Sequence, residues 1–127
     1  MLLSVLMNVS IAQPTTLHED FATCVSAIPT GWQKYSVSGS DSWQCSSSGQ
    51  SGNGTSMSGY SGGSNHTNED WLISPLTDFH LYNNPMLSFW CRTKYNGPLI
   101  QVLVSSNYSG GGDPNLATWN SLPAVLP

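Results

Sequence analysis

The chain has 127 residues, and only 8% of them are charged, with 3 Lys or Arg against 7 Asp or Glu and a net charge of -4. Charged residues make up ~25% of an average soluble protein. Three cationic residues are too few for the basic surface that nucleic acids or anionic membranes require. Because 39% of the residues are hydrophobic, including five Trp, one domain can still build a core. The composition therefore predicts one β-rich extracytoplasmic domain.

Residues 1–12 predict the end of a secretory signal peptide. They form an apolar stretch, and Ser10 and Ala12 are small residues where a signal peptidase would cleave before Gln13. No Lys or Arg precedes Lys34, so the usual basic segment is missing and we interpret the signal as partial. The alternative is a first β-strand. With the signal removed, residues 13–127 are the domain of a secreted or cell-surface protein. No later apolar run is long enough to span a membrane.

Short extended segments follow one another along the rest of the chain. Residues 32–37 alternate with a period of two, and an apolar segment at 71–76 is ended by Pro75. Most of the Ser and Gly lies in residues 46–68, which predict one or two weak strands around residues 57–60, or a flexible linker. The predicted strands cover residues 17–21, 32–37, 42–45, 71–76, 85–91, 99–105 and 117–120.

The most apolar segment, residues 85–91, is predicted to be a central strand. A turn at residues 95–98 separates it from residues 99–105, so residues 87–90 and 99–104 are predicted to pair as antiparallel neighbours. No segment shows a sustained helical period. Short strands with frequent turn signals predict an all-β fold, an antiparallel β-sandwich of the jelly-roll type.

Three cysteines are present, Cys24, Cys45 and Cys91. An exported protein can form disulfides, and an odd number leaves one thiol over. Their spacing does not match a zinc site, and the sequence leaves open which two of the three would pair.

Several of these segments together resemble the choice-of-anchor J domain, a relative of the cleaved-adhesin domains and, more distantly, of MAM domains. The similarity covers residue 17 to the end, and its most specific part is Asp-Trp-Leu-Ile-Ser-Pro followed by Leu-Ser-Phe-Trp. The segments that carry it are residues 19–21, 28–32, 42–43, 68–75, 87–90 and 102–105, with residues 107–114 and 117–119 similar to a loop of that family.

The resemblance implies a jelly-roll module of a secreted bacterial protein that functions in adhesion or glycan binding, without catalysis. It also implies a monomeric module within a larger protein, and a glycan or a surface protein as its partner. Members of that family continue for some tens of residues, so we interpret the jelly roll as incomplete, with its C-terminal strands missing. The alternatives are an accessory domain of a secreted hydrolase whose catalytic domain is absent, or a structural spacer.

The resemblance further implies a structural Ca²⁺ near the N-terminal strand. Its ligands would be Glu19 and Asp70, with Asn68 and Asp20 as neighbours. Such oxygen donors suit Ca²⁺, which takes six to eight oxygen ligands. Alternatively, these acidic residues are solvated strand ends, or they accept hydrogen bonds from N–H groups in turns.

No set of residues in the sequence indicates a catalytic site. The acidic pairs at residues 19–20 and 69–70 could serve a glycosidase, but the sequence does not fix the separation that such a pair needs, and the chain is small for such an enzyme. His18, His66 and His80 lie far apart and outside any recognisable nucleophile motif.

The tryptophans divide into two predicted groups. Trp71 and Trp90 lie in apolar strands and are predicted to be core residues. Trp43 and Trp119 flank polar loops, so we expect these two to stack against a ligand such as a sugar.

Overall fold

The computed structural model describes residues 17–126, and the predicted signal peptide at residues 1–12 lies outside them. The strands are β1 (Gln33–Ser38), β2 (Gln44–Gly49), β3 (Gly52–Ser56), β4 (Tyr60–Ser61), β5 (Ser64–Asn65), β6 (Glu69–Ile73), β7 (Leu103–Val104) and β8 (Asn120–Ser121), and a 3₁₀ turn at Pro114–Leu116 precedes β8. They form four two-stranded antiparallel sheets, β1–β6, β2–β3, β4–β5 and β7–β8. The all-β class is confirmed, whereas the jelly-roll sandwich stays a prediction.

The sheet β1–β6 joins two segments that are far apart in the chain. Its register runs from Gln33 opposite Ile73 to Ser36 opposite Asp70, with a bulge before Ser38. The strand predicted at residues 32–37 is therefore confirmed within one residue. Strand β6 ends at Ile73, two residues before Pro75, which has no N–H to donate to a ladder.

The Ser- and Gly-rich segment folds into two hairpins, so the alternative interpretation as a flexible linker is wrong. Strands β2 and β3 pair from Gln44 opposite Ser56 to Gly49 opposite Gly52. In the second hairpin, Gly62 and Gly63 link β4 to β5 with φ of 57° and 88°. Two consecutive positive φ angles suit the tight hairpin turns whose twist matches that of the flanking strands.

The strand predicted at residues 17–21 is wrong, because acidic side chains bind the backbone locally. Glu19 Oε1 accepts a hydrogen bond from Phe21 N at 2.6 Å, and Asp20 Oδ1 accepts one from Ala22 N at 2.8 Å. Phe21 has a φ of 57°, in the left-handed region. Such side chain–backbone bonds compete with a β-ladder. The Phe21 ring packs on Trp32, with 4.9 Å between ring centroids.

A disulfide bond between Cys24 and Cys45 ties the N-terminal segment to β2, and Cys91 is free. The Asn53 side chain adds a second tie, because its Nδ2 donates to Ala22 O at 2.9 Å. Cys24 and Ile73 are the buried hydrophobic residues among those described. The core is therefore small and centred on the disulfide and the β1–β6 sheet.

The predicted pairing of residues 87–90 with residues 99–104 is wrong. Residues 85–91 form no strand, and Leu103–Val104 (β7) pairs with Asn120–Ser121 (β8) instead. Leu122 N extends this sheet by donating to Val102 O at 2.8 Å. A nearly continuous apolar run has no alternation that would fix one register, and Pro98 removes an N–H beside the predicted turn. Within residues 17–126, no helix has the length and hydropathy that a membrane crossing requires.

Candidate functional site

Three aromatic rings form a cluster beside β6, which we call the aromatic platform: Trp71, Tyr108 and Trp119. The ring centroids of Trp71 and Trp119 lie 5.0 Å apart, and those of Tyr108 and Trp119 lie 5.4 Å apart. Both pairs are tilted, a favoured arrangement for aromatic rings. All three residues are half-buried. The platform therefore combines a fixed ring arrangement with accessible aromatic surface.

The loop between β7 and β8 holds the platform through its own side chains. Asn107 Oδ1 accepts hydrogen bonds from Ser105 Oγ and from Thr118 N, both at 2.9 Å. This double contact joins the two ends of the loop. Tyr108 Oη donates to Gly112 O at 3.0 Å, and Trp119 Nε1 donates to Pro114 O at 2.8 Å. Both polar ring atoms are thus bound to the loop.

A carboxylate and an amide lie at the edge of the platform. Glu69 Oε1 accepts hydrogen bonds from Trp71 Nε1 at 3.2 Å and from Asn115 Nδ2 at 3.1 Å. Asn115 is itself placed by a capped 3₁₀ turn, in which Asp113 Oδ1 accepts from Asn115 N at 2.9 Å. Glu69 and Asn115 are exposed. Polar groups beside aromatic rings are the usual composition of a small-ligand site.

Trp43, the other predicted ligand residue, lies away from this cluster. Its Nε1 donates to Asp70 O at 3.2 Å, and its main-chain oxygen accepts from Lys34 Nζ at 3.1 Å. It lines a cavity of about 300 Å³ together with Val25, Ile28 and Lys34. This volume is at the lower end of the ~300–1,000 Å³ typical of ligand pockets.

Neither of the two tryptophans that were predicted to be core residues is fully buried. Trp90 is exposed, because residues 85–91 do not join a sheet, so its prediction is wrong. Trp71 is half-buried and belongs to the platform. Trp119 was therefore identified from the sequence as a ligand residue, whereas its ring partners Trp71 and Tyr108 were not. Asn115, which binds Glu69 at the edge of the platform, was missed as well. The polar loop with Asp113-Pro114 before Asn115, typical of a capped turn, was the available signal.

Among the predicted calcium ligands, Asp70 stands out. Both of its carboxylate oxygens are buried, and neither accepts a hydrogen bond from the described residues. Lys34, on the neighbouring strand β1, forms no ion pair with an acidic residue between 17 and 126. A buried carboxylate ordinarily has a hydrogen-bond donor, a charge partner or a metal ion. Asp70 therefore fits the role of a cation ligand.

The other three predicted ligands already have protein partners. Glu19 and Asp20 each accept a backbone N–H with one oxygen, which leaves their second oxygen for another contact. Asn68 Oδ1 accepts from Asp41 N, and its Nδ2 donates to Asp41 Oδ2, both at 3.2 Å. In residues 17–126, no three His, Cys, Asp or Glu side chains converge as a metal site. The remaining ligands would therefore have to be carbonyl, amide or water oxygens.

His66 lies in a polar network on the β4–β5 hairpin. Its Nε2 is 2.9 Å from Ser64 Oγ, and its Nδ1 is 3.1 Å from Ser61 Oγ and 3.5 Å from Asp41 Oδ2. Nothing in the sequence indicates that His66 meets Asp41, because the two residues are 25 positions apart in the chain. The network fastens the hairpin to the segment that follows β1.

The contacts run from Ser64 to His66 and from His66 to Asp41, as they do in a nucleophilic triad. The surroundings, however, differ from those of an acyl-transfer site. Such a site also needs donors aimed at the developing oxyanion and a place for the substrate. Ser64 is exposed beside the tip of a hairpin, and the cavities at Trp43 and at residues 85–91 are lined by other residues. We therefore interpret this network as structural.

One other histidine contacts a carboxylate. The backbone N–H of His80 and then its imidazole, 2.7 Å from Asp78 Oδ1, lower the pKa of Asp78 below its usual value. This pair is fully exposed and includes none of the platform residues.

Comparisons with models of protein families, with curated proteins and with solved structures found no match for this chain.

Proposed function

We propose that the chain is a non-catalytic carbohydrate-binding or adhesion module of a secreted or cell-surface bacterial protein, as its resemblance to choice-of-anchor J domains implies. The observation that supports this function best is the aromatic platform with Glu69 and Asn115 at its edge. A sugar ring presents C–H groups on its face and hydroxyls around its rim. Tilted aromatic rings can pack against the face, while a carboxylate and an amide accept and donate hydrogen bonds to the hydroxyls.

The arrangement is suited to binding because its parts are held before a ligand arrives. Trp119 is fixed by its bond to Pro114 O and by two neighbouring rings. Glu69 is oriented by two donors that both use Oε1, so Oε2 is left for a ligand hydroxyl. A preorganised site loses less side-chain entropy on binding than a mobile one.

Affinity electrophoresis through gels that contain soluble polysaccharides tests this proposal. We expect retention by at least one polysaccharide, lost in Trp119→Ala and weakened in Asn115→Ala. Asn115 is exposed and makes one side-chain bond, so its replacement leaves the fold intact. Asn96→Ala, at an exposed turn in residues 95–98, is the matched control and should be retained like the wild type. No retention on any polysaccharide, or equal retention of all variants, would reject the platform as a glycan site.

The cavity at Trp43 is the second candidate for the same function, since it places an indole beside the cation Lys34. Trp43→Ala separates the two sites. Loss of retention in this variant alone would move the glycan site from the platform to this cavity.

We also propose that Asp70 contributes to a structural Ca²⁺ site, whose other ligands would be carbonyl, amide or water oxygens. Support comes from the buried Asp70 carboxylate, which no described residue neutralises. A bound cation would supply the positive charge that the described residues do not bring to the Asp70 carboxylate. In this role the ion stabilises the fold and takes no part in a reaction.

A further inference from the structure

Residues 85–91, which we call the apolar strip, expose large side chains to solvent. Met86, Leu87, Phe89 and Trp90 are 90%, 61%, 45% and 81% exposed. Scattered exposed hydrophobic residues are normal on protein surfaces, but a contiguous patch of several hundred Å² marks an interaction site. Full side-chain areas of about 150–250 Å² put the exposed part of this strip at roughly 500 Å².

The backbone of the strip is also free to form a ladder. Residues 85–101 belong to no strand and make no backbone–backbone hydrogen bond with any residue between 17 and 126. Unpaired N–H and C=O groups along an extended segment are a template for another strand. The strip therefore offers a partner both apolar surface and a row of backbone donors and acceptors.

A groove runs between the strip and residues 122–126. Its volume is about 470 Å³, and its lining includes Leu87, Phe89, Val102, Leu122 and Val125. An apolar groove with an unpaired backbone along one wall suits a peptide in the extended conformation. Its occupant would pair with the strip on one side and cover the apolar side chains on the other.

We propose that a second copy of the chain occupies this groove, with the two strips paired antiparallel about Ser88. Antiparallel pairing of one segment with itself produces a two-fold interface in which each copy makes the same contacts. In this register Met86 faces the partner copy's Trp90, and Leu87 faces its Phe89. Two strips together expose roughly 1,000 Å² of side-chain surface, just under the ~1,200 Å² at which stable interfaces begin, and burial of the groove walls adds to it.

The charges next to the strip are compatible with this register. Two of the three cationic residues, Arg92 and Lys94, directly follow the strip. Pairing about Ser88 places Arg92 opposite Asn84 of the second copy, so the cations of the two copies lie at opposite ends. This register therefore brings no two cations of the pair face to face. The dimer replaces the monomer expected from the resemblance, and it forms whether or not the chain binds a glycan.

Disulfide trapping of the full chain tests both the partner and the register. In a Cys91→Ser background, we expect Ser88→Cys to form a covalent dimer on mild oxidation, because each Ser88 pairs with its counterpart. Ser40→Cys, exposed in a bend outside the strip, is the control and should stay monomeric. The unmodified Cys91 should not cross-link either, because six residues at ~3.4 Å each place the two thiols ~20 Å apart.

Light scattering measures the oligomeric state independently of cross-linking. It is applied to the unoxidised wild type and to the variants Leu87→Lys and Trp90→Lys. Both positions are exposed, so the lysines should preserve the fold and weaken the dimer at least about tenfold. A wild type that is monomeric at submillimolar concentration would overturn the proposal, and so would open-ended assembly beyond a dimer. Cross-linking through Cys91 but not through Ser88→Cys would overturn the register.

Discussion

Residues 17–76 contain three of the four sheets, the disulfide bond and the Phe21–Trp32 pair, whereas residues 77–102 contain no strand. The first region is rich in Ser and Gly, and the second includes the most apolar segment of the chain. The most apolar segment of the chain therefore lies outside the region that forms most of the sheets.

The difference shows what each region uses to fix its conformation. In residues 17–76, tight Gly turns, side chain–backbone bonds and one covalent bond determine the register of short polar strands. In residues 77–102, the apolar side chains need a second surface to cover them, and residues 17–126 do not supply it for the apolar strip. Local hydrogen bonds order a segment by themselves, whereas burial requires a partner.

Loss of the disulfide should have the largest effect, and it should be confined to the first region. The bond joins cysteines 21 positions apart, and a loop of this length corresponds to about 3 kcal/mol of stabilisation. We expect Cys24→Ser with Cys45→Ser to lower the free energy of unfolding by about that amount in a urea titration. Cys91→Ser, outside any disulfide, should change it by less than about 0.5 kcal/mol. If the two changes lowered the free energy of unfolding equally, the disulfide would not be what stabilises the first region.

Binding of Ca²⁺ at Asp70 on β6 should have the next largest effect on stability. At about 100 times its dissociation constant, a ligand stabilises the folded state by about 2.7 kcal/mol. We expect Ca²⁺ to raise the melting temperature, EGTA to reverse the rise, and Asp70→Asn to abolish it. Asp78→Asn, at an exposed carboxylate that contacts His80, is the control that should keep the response. A melting temperature that is independent of Ca²⁺ in the wild type would reject the site.

Replacing a glycine by alanine should destabilise the first region more than the second, and by less than loss of the disulfide does. Gly39 has a φ of 96°, and a Cβ there would overlap the Asn68 side chain. We expect Gly39→Ala to cost about 1–3 kcal/mol, the usual cost of a strained backbone position. A Cβ on Gly97 meets no atom within 4 Å, so Gly97→Ala should be close to neutral in the same thermal unfolding measurement. A comparable loss at Gly97 would indicate that the second region is packed against something.

The smallest expected effect concerns the hairpin network. If Ser64, His66 and Asp41 are structural, the purified chain should hydrolyse p-nitrophenyl acetate no faster than buffer, and Ser64→Ala should change nothing. Hydrolysis above buffer that disappears in both Ser64→Ala and His66→Gln would instead assign a nucleophile to the ordered region.

The sequence predicted the strands whose pattern is local and missed those decided by distant partners. The alternation in residues 32–37 predicted β1 within one residue, and the Pro-terminated segment at 71–76 overlaps β6 at residues 71–73. Leu103 and Val104 were also predicted as strand residues, but no local pattern indicates that they pair with Asn120–Ser121. Pairing between strands depends on which segments meet in space, and apolar segments of similar character are interchangeable in a sequence.

The candidate site shows the same limit. Trp119 could be named because it flanks a polar loop, and Asp70 because of the motif around it. The association of Trp119 with Trp71 and Tyr108 depends on the Asn107 bond that joins the ends of the β7–β8 loop. That contact spans 11 positions through a side chain, and the residue types alone do not specify it.

The exposure of Trp90 gives this protein an intrinsic fluorescent reporter. Its indole is 81% exposed, while the other four tryptophans are half-buried. A water-borne quencher such as iodide will therefore reach Trp90 first, and its emission will dominate the quenchable, red-shifted fraction of the spectrum. Anything that covers residues 85–91 can be followed in the unlabelled chain as a blue shift and a loss of iodide quenching.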